Sequence, residues 1–331
     1  MLFRSREGDL VFDLAEYAER PERPIDVRHR AGMQDGPLVG QVLARGQTRR
    51  VVTHLRHLPL RLRPEHRPYT SRVGASPERP DSTYSRPRAY VRVAGPEAGD
   101  FLQRVLSNDV LAGDHCQALL LTPKGRVIAL MRVWRRSADD FLLLTEIEQG
   151  EVLLRELRRL RIATKCEIEP EEHTSVIVFD PTVEGIPNDD YGIPAVEAID
   201  SSYPADPPDA RLERLRILAA TPRWGREIDD GILPAEAGLD VSAISFEKGC
   251  FPGQEPVTRL FRRGHVNRSL RIVEIPGDRV RPPAEVTLDG ASVGRITSSV
   301  DGLELAFIRV EVPVDAELQV AGRAARLHSP G

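Results

Sequence analysis

The chain has 331 residues, a formal net charge of −4 and 40% hydrophobic residues, which is the composition of a globular protein long enough for two or three domains. No apolar run approaches the roughly 18 residues that a membrane span requires. Residues 1–9 lack the apolar core of a secretory signal. We therefore expect a cytoplasmic protein without a membrane anchor.

The three cysteines, Cys116, Cys166 and Cys250, are widely spaced and form no C-x-x-C pair. This spacing argues against structural zinc, and four thiolates for an iron-sulfur cluster cannot come from one copy of the chain. We therefore predict no resident metal site.

Residues 1–83 carry 15 Arg against 11 Asp and Glu, with weak apolar periodicity. Within them, residues 41–72 hold eight Arg and one acid, Glu65, which is the pattern of an arm that binds nucleic acid or an anionic surface. The alternative is a disordered extension. We prefer the extension, because Tyr69 is the one aromatic residue that could serve as a stacking platform.

Residues 84–180 are predicted to form an α+β domain. Alternation of apolar and polar residues indicates strands, and apolar residues at helical spacing indicate helices. In chain order the predicted elements are a strand at 89–94, a helix at 97–106, strands at 117–122, 127–134 and 141–145, a helix at 147–160, and strands at 163–169 and 175–179.

Residues 181–268 are predicted to form a second α+β part, with a short strand at 193–199 and a helix at 210–220. From residue 269 to residue 331, short alternating strands are separated by Pro-Gly, Asp-Gly and Ala-Gly turns. This pattern predicts a small antiparallel β-barrel. The fold class is therefore α+β.

Residues 248–255 read Lys-Gly-Cys-Phe-Pro-Gly-Gln-Glu and place a thiol, an amine, an amide and a carboxylate within eight positions. Residues 256–273 then contain five Arg and no acid. We expect a tightly shaped loop whose positive charge favours an anionic ligand or partner. The alternative is a solvated loop with a buried, inert cysteine.

Residues 248–255 resemble the K-G-C-[FY]-x-G-Q-E motif of the YgfZ branch of the YgfZ/GcvT superfamily. Members of this branch are folate-binding relatives of the glycine-cleavage T-protein and are linked to iron-sulfur cluster assembly. Further segments similar to the family follow in the expected order at residues 107–110, 121–127, 233–239 and 293–299. The resemblance covers residues 84–331.

The resemblance implies a three-domain ring of the aminomethyltransferase/YgfZ type with folate in a central channel, and a folate-binding type of domain at 84–180. It implies tetrahydrofolate or a derivative as cofactor, and iron-sulfur assembly proteins or client enzymes as partners. With these cysteines, such a protein would assist cluster transfer rather than store the cluster. An indirect effect on tRNA modification is also implied.

The resemblance also suggests site residues. In the family, the acid at the position of Glu236 faces the pterin ring, whose 2-amino-pyrimidone edge offers two parallel N–H donors to a carboxylate. The basic run offers counter-charge for the glutamyl tail. The candidate folate-binding residues are Asn108, Asp109, Glu236, Lys248, Gln254, Glu255, Arg259 and Arg263.

Cys250 is the candidate functional thiol. It could be a nucleophile, a transient ligand in cluster or thiol exchange, or a structural thiol. A Lys248 ammonium pointing at the sulfur would favour the thiolate. No His is assigned as its partner, so we rank cofactor- or cluster-related work above hydrolysis.

One departure from the superfamily bears on enzyme activity. The aminomethyltransferases place a catalytic aspartate just after the G-x-V-I turn, whereas this chain has Ala129 and Leu130 there. This argues against a tetrahydrofolate-dependent aminomethyltransferase or one-carbon transferase, and leaves open whether the chain is an enzyme. A third hypothesis is a nucleic-acid-binding protein acting through residues 41–72 and 259–271; we do not expect direct nucleic-acid binding.

Overall fold

The computed structural model describes residues 2–4, 10–13, 38–44, 47–53, 83–277 and 279–328. The chain divides into two units, Met1–Arg67 and Pro68–Gly331. The described part of the first unit is a four-stranded sheet in the order β1-β2-β3-β4, in which only the β2–β3 pair is parallel. Its strands are β1 (Leu2–Arg4), β2 (Leu10–Asp13), β3 (Leu38–Ala44) and β4 (Gln47–Thr53).

The predicted extension at 1–83 includes these four strands, which the weak apolar periodicity of the segment did not indicate. Most other residues of the segment, including 54–82, lie outside the described residues. The proposal that the segment is an extension separate from the folded body therefore stays a prediction.

The second unit begins with two sheets and their helices. Its elements in chain order are β5 (Tyr84–Ser85), β6 (Ala89–Ala94), α1 (Ala98–Val105), β7 (His115–Leu121), β8 (Val127–Arg135), β9 (Asp140–Thr145), a 3₁₀ helix (Ile147–Gln149), α2 (Gly150–Leu160), β10 (Glu167–Glu171), β11 (Ser175–Val178), β12 (Ile186–Asn188), β13 (Ala195–Ile199) and α3 (Ala210–Leu218).

The rest of the unit carries the motif segment and the barrel. Its elements are a second 3₁₀ helix (Pro234–Ala237), α4 (Leu239–Ser242), α5 (Gln254–Arg263), β14 (Arg268–Glu274), β15 (Ala284–Leu288), β16 (Ala291–Val300), β17 (Leu303–Arg309), β18 (Leu318–Val320) and β19 (Arg323–Leu327). No helix in the described part of the chain is long and apolar enough to cross a membrane.

The first sheet is antiparallel in the order β10-β6-β9-β8-β7. Successive residues of a strand face opposite sides, so Phe141 packs with the buried face of α1 and α2 while Leu142 packs on the other face with Ile186 of β12. Strand β10 begins at Glu167 and not at the predicted residue 163, because Ala163 has a φ of 53°, which is incompatible with a strand.

The second sheet has the order β12-β13-β11-β5 and is covered by α3. It pairs β11, from the segment predicted as 84–180, with β13, from the segment predicted as 181–268. Leu212 and Leu215 of α3 pack against Ile177 and Tyr191 in its core. The domain boundaries themselves stay a prediction.

Strands β14 to β19 form the predicted C-terminal barrel. Six antiparallel strands close in the order β14-β17-β16-β15-β18-β19, with β19 pairing back to β14. Apolar residues such as Val286, Ile296 and Ile308 fill the interior. The mixed α and β content and this closed barrel confirm the predicted fold class.

Part of the predicted loop at 248–268 is instead helical, since α5 occupies Gln254–Arg263. Gly253 caps the helix at a φ of 81°, and Pro256 falls in its first turn. Glycine and proline look like loop residues in a sequence, but the first turn of a helix tolerates proline because its N–H groups lack helical partners. The loop prediction therefore holds for residues 248–253 and 264–267, on either side of the helix.

The barrel contains one buried carboxyl group with few partners. Glu304 on β17 is fully buried; its Oε1 accepts from Ser299 Oγ at 3.2 Å, and its Oε2 has no hydrogen-bond partner among the described residues. Burial raises the pKa of Glu304 to about 7, against smaller lowering effects of Ser299 and Arg323. The folded protein therefore binds this proton more tightly than the unfolded chain does.

We predict that Glu304→Gln stabilises the protein at pH 8 but not at pH 4.5. The stability that comes from keeping this carboxyl protonated is complete below its unfolded pKa, and it is lost as pH rises to the folded pKa of about 7. An amide does not titrate, so the variant should gain on the order of 2–3 kcal/mol at pH 8. Urea unfolding at the two pH values measures this.

The control is Glu285→Gln, which changes an exposed carboxylate on β15 of the same barrel. It should leave the pH dependence of the unfolding free energy unchanged. Equal effects of Glu304→Gln at both pH values would contradict the assignment of a protonated Glu304.

Candidate functional site

The segment containing Cys250 is fixed at both of its ends. Lys248 Nζ donates to the backbone oxygens of Leu106 at 2.6 Å and Asn108 at 2.9 Å. Phe251 is buried, and its ring centroid lies 5.5 Å from the same Nζ. Gly249 and Cys250 between them are exposed. We call residues 248–251 the Cys250 arch.

The predicted interaction of Lys248 with the thiol is replaced by its hydrogen bonds to the carbonyls. Burial lowers the pKa of Lys248 to about 8, while Asp109 and Cys116 act to raise it. Cys116 is half-buried, and burial raises the pKa of its thiol to about 12. Cys166 is buried, and Cys250 alone among the three cysteines is exposed, so the alternative of a buried, inert Cys250 does not apply.

The segment at 107–109, whose Asn108 carbonyl receives a Lys248 hydrogen bond, is itself fixed by side-chain hydrogen bonds to residues outside the arch. Ser107 Oγ donates to Ala243 O at 2.6 Å, and Asn108 Nδ2 donates to Gln117 O at 2.8 Å. Asp109 Oδ1 accepts from the Leu111 N–H at 3.0 Å, as a turn-forming Asp does. The structure thus brings Asn108, Asp109 and Lys248 together, but each already has a structural partner.

The Thr122–Arg126 turn packs directly on the start of α5. A Cβ added to Gly253 would lie 2.5 Å from Thr122 O and 3.1 Å from Gly125 Cα, and both glycines have positive φ. Two motif segments of the sequence therefore meet backbone to backbone, which only glycine permits. This contact sets where the arch and α5 begin.

The remaining candidates on α5 face outward. Gln254 is half-exposed, while Glu255, Arg259 and Arg262 are exposed on one side of the helix. Arg263 ends α5, and its side chain lies outside the described residues. Neither Arg259 nor Arg262 lines the two main cavities found in the described part of the chain.

Glu236 lies apart from the arch, beside the barrel. Its Oε1 accepts from Arg268 Nε at 2.9 Å, and its Oε2 accepts from the Leu233 N–H at 3.1 Å. The Arg268 guanidinium in turn lies 4.8 Å from the centroid of the Phe307 ring. Both oxygens that were predicted to receive a pterin edge are therefore engaged, although a carboxylate oxygen can accept more than one hydrogen bond.

A cavity of about 190 Å³ lies among the two sheets, α3 and the segment that follows α3. Trp224 lines it, next to Gln149. With the Gln149 amide oriented to satisfy both neighbours, its oxygen accepts from the Trp224 indole N–H at 3.2 Å and its nitrogen donates to Ile128 O at 2.6 Å. Leu130 also lines the cavity, while Ala129 is buried. The position that carries aspartate in the aminomethyltransferases therefore offers the cavity an apolar side chain.

Three arginines and three carboxylates surround this cavity. They are Arg86, Arg88 and Arg132 with Glu146, Asp190 and Glu197. Arg88 pairs with Glu197 through two hydrogen bonds of 2.8 and 3.0 Å. Although burial alone would raise the pKa of Glu197, Arg88 lowers it to about 2. The six charges of this network balance one another, and Asp209, Glu213, Arg216 and Arg223 add further charges to the cavity wall.

Sequence reasoning missed Gln117, Gln149 and Trp224 as cavity residues, together with the charge network. Gln117 connects the cavity to the arch region, since its backbone oxygen accepts from Asn108 and its Oε1 accepts from Ser242 Oγ at 2.7 Å. A tryptophan in a short Pro-Arg-Trp-Gly segment was the one available signal. Charges scattered over 100 residues give no local pattern.

Within the described residues, no group of three or more His, Cys, Asp or Glu side chains could hold a metal ion. The exposed Cys250 could contribute one sulfur to a shared ligand set, and the rest would have to come from another molecule.

No family model matches the chain. It is 24% identical over 291 residues to the mitochondrial iron-sulfur cluster assembly factor IBA57 homologue of Pyricularia oryzae, covering 71% of this chain and 73% of that protein. It is 26% identical over 267 residues to human IBA57, covering 67% and 75%. With the tRNA-modifying protein YgfZ of Vibrio atlanticus it shares 25% identity over 219 residues, or 55% and 66%.

Among solved structures, the chain is similar to the glycine cleavage system aminomethyltransferase T of Bartonella henselae. The TM-score is 0.64 at 17% identity, covering 80% of this chain and 87% of that one, which shows a common fold. The relatives of known sequence carry the names of both the iron-sulfur assembly factors and YgfZ. The chain is therefore similar in sequence to the iron-sulfur cluster assembly factors and to YgfZ, and it shares the fold of the aminomethyltransferase.

Proposed function

We propose that this chain is a folate-binding protein of the YgfZ type that assists iron-sulfur cluster assembly or repair. The observation that carries the proposal is the exposed Cys250 on an arch held at both ends, in a molecule with the aminomethyltransferase fold. The relatives named as iron-sulfur cluster assembly factors support it.

In this proposal the cluster is cargo and not a resident group. Cys250 supplies one thiolate for the moment of transfer, and a partner assembly protein or client enzyme supplies the others. A partner can approach because Gly249 and Cys250 are exposed and no described side chain lies over them. Soft thiolates are the usual ligands of iron-sulfur clusters.

The cavity fits the ring of a folate better than the whole molecule. Its volume of about 190 Å³ is below the range of about 300–1,000 Å³ for drug-sized ligands, so the remainder would extend outward. Trp224 would stack on the ring, and the Gln117 amide N–H groups, for which no acceptor is found among the described residues, would hydrogen-bond its edge. Bound tetrahydrofolate would supply a carrier for one-carbon units.

Glu236 is the second proposed contact for the pterin. The pterin N–H groups and the Arg268 guanidinium would both donate to the Glu236 carboxylate. Glu236 would therefore either accept from both partners at once or lose its hydrogen bond to Arg268 when the pterin binds. Arg259, which is exposed, and Arg263 at the end of α5 are proposed counter-charges for the glutamyl tail, and Gln254 and Glu255 are proposed contacts on the same helix.

The two alternatives are not favoured. An aminomethyl or one-carbon transferase of the glycine-cleavage type would require the carboxylate that Leu130 replaces at the cavity wall. A nucleic-acid-binding protein would depend on residues 41–72, many of which lie outside the described residues. An effect on tRNA modification is proposed as indirect, through a client enzyme that needs a cluster.

The compartment remains a proposal. The sequence leads us to expect a cytoplasmic location, whereas the eukaryotic relatives named above are called mitochondrial. Fractionation of the native host would decide between the two.

We predict that tetrahydrofolate binds the full chain and that Trp224→Leu and Glu236→Ala weaken binding to different extents. Loss of a charged acceptor costs roughly 1–3 kcal/mol, and loss of an aromatic partner costs about 1 kcal/mol. Isothermal calorimetry up to millimolar ligand measures both. A larger loss for Trp224→Leu places the ring in the cavity, and a larger loss for Glu236→Ala places it at Glu236.

The control is Glu285→Gln, an exposed change on the barrel that should bind as the wild type does. Melting curves of each variant exclude unfolding as the cause. If the wild type gives neither heat nor a thermal shift at millimolar ligand, the folate part of the proposal is wrong.

We predict that Cys250→Ser stays folded but cannot support cluster enzymes. The side chain is exposed and has no described hydrogen-bond partner, so unfolding free energy should stay within about 1 kcal/mol of the wild-type value. The measurement is iron-sulfur enzyme activity in a cell that lacks its own superfamily member. The control is Cys166→Ala, which removes a buried thiol and should restore activity. If Cys250→Ser restores activity fully, the Cys250 thiol has no role in cluster transfer.

A further inference from the structure

We infer that Lys248 is a positioning residue, whose ammonium holds the Cys250 arch in the outward pose that a partner meets. The inference rests on the proposed function in one respect, because it takes Cys250 to be the working thiol. It differs from the sequence hypothesis, in which the lysine acts on the sulfur itself. The structure gives the ammonium other contacts.

The first contact ties the arch to a distant part of the chain. The oxygens that receive the Lys248 hydrogen bonds belong to residues 142 and 140 positions earlier, Leu106 and Asn108. Leu106 is the C-cap of α1, so its carbonyl lies at the negative end of the helix dipole. Hydrogen bonds from a charged donor are about twice as strong as neutral ones. The tether is therefore stronger than an ordinary loop contact.

The second contact closes the arch on itself. Phe251 is buried in the core that joins the first sheet to the barrel, and its ring faces the same ammonium at 5.5 Å. A cation over an aromatic ring is attracted electrostatically, and more strongly when it is partly desolvated. Lys248 and Phe251 thus hold each other, with Gly249 and Cys250 as the only residues between them.

Because the space around the arch is open, its conformation depends on the two anchors, Lys248 and Phe251. Nothing lies within 4 Å of a Cβ built on Gly249, and Cys250 makes no hydrogen bond to a described residue. Glycine also gives the arch more conformational freedom than any other residue would. Without the ammonium, the buried Phe251 would hold one end of the arch and the Lys248 end would be released.

The charged groups that face Lys248 are Asp109 and the Cys116 thiol. Asp109 already accepts from Gln103 and from the Leu111 N–H, so it is held in place without Lys248. Burial lowers the pKa of Lys248 to about 8, which keeps the ammonium as its main form at pH 7. Substitution of Lys248 should therefore release the arch and leave the 107–109 segment in place.

The test is the alkylation of Cys250 in the purified full chain at pH 7, with a small reagent, iodoacetamide, and a bulky maleimide, resolved by peptide mass spectrometry. The measured quantity is the ratio of the maleimide rate to the iodoacetamide rate at Cys250. In Lys248→Met this ratio should fall at least about threefold, because a thiol that turns toward the protein is hindered more for the larger reagent than for the smaller one. Lys248→Arg, which keeps a charged donor for both carbonyls, should stay within about twofold of the wild type.

Lys165→Met is the matched control, since it makes the same change at an exposed lysine. It should leave both rates of Cys250 unchanged. Should Lys248→Met fail to fold, Phe251→Leu decides, because it removes the ring anchor and leaves the carbonyls paired. An unchanged rate ratio in the folded variant overturns the inference.

A cellular readout separates this inference from the proposed function. If Cys250→Ser fails to restore iron-sulfur enzyme activity, Lys248→Met should restore it only in part and Lys248→Arg more fully. If Cys250→Ser restores activity completely, the proposed function of the thiol fails, while the alkylation ratio still tests the positioning by Lys248. Full restoration by Lys248→Met, with Cys250→Ser inactive, would contradict the positioning role.

Discussion

The buried pairing of Arg88 with Glu197 is the interaction on which the arrangement of the second unit depends. Arg88 precedes β6 of the first sheet and Glu197 lies in β13 of the second, and both side chains are almost fully buried. A buried ion pair adds little net stability, but removing one partner leaves an unpaired charge and costs about 3–5 kcal/mol. The pair therefore acts mainly by specifying how the two sheets meet, and with them the walls of the cavity.

This charge balance limits what the cavity can recognise. Of the arginines that line it, Arg86, Arg88 and Arg132 are paired with Glu146, Asp190 and Glu197. Arg216 is paired with Glu213 and Glu227, while the partly exposed Arg223 has a long contact of 4.0 Å to Glu213. The uncharged groups of the wall include the Trp224 face, the Gln117 amide and the apolar Leu130. These groups suit a flat, largely neutral heterocycle, and any charged tail of such a ligand would have to be met outside the cavity.

Patterns that are local in sequence were read correctly, and contacts between distant segments were not. Alternation located β6, and the turn residues of the last third indicated the barrel. Helix α5 was missed because Gly253 and Pro256 read as loop residues when the cap geometry is unknown. The carbonyl partners of Lys248 could not be predicted for a similar reason, since they lie 142 and 140 residues earlier in the chain and leave no local pattern beside it.

The residues of the motif at 248–255 separate into two groups once their contacts are known. Lys248 holds the arch, Phe251 fills the core and Gly253 admits the Thr122–Arg126 turn, so the fold itself accounts for these three. Cys250, Gln254 and Glu255 have exposed or half-exposed side chains for which no hydrogen bond to a described residue is found. No described hydrogen bond of the fold depends on these three side chains, and all of them reach solvent at least in part. Selection on this second group would act through a partner molecule, and the thiol is its only member that can bind iron as a soft ligand.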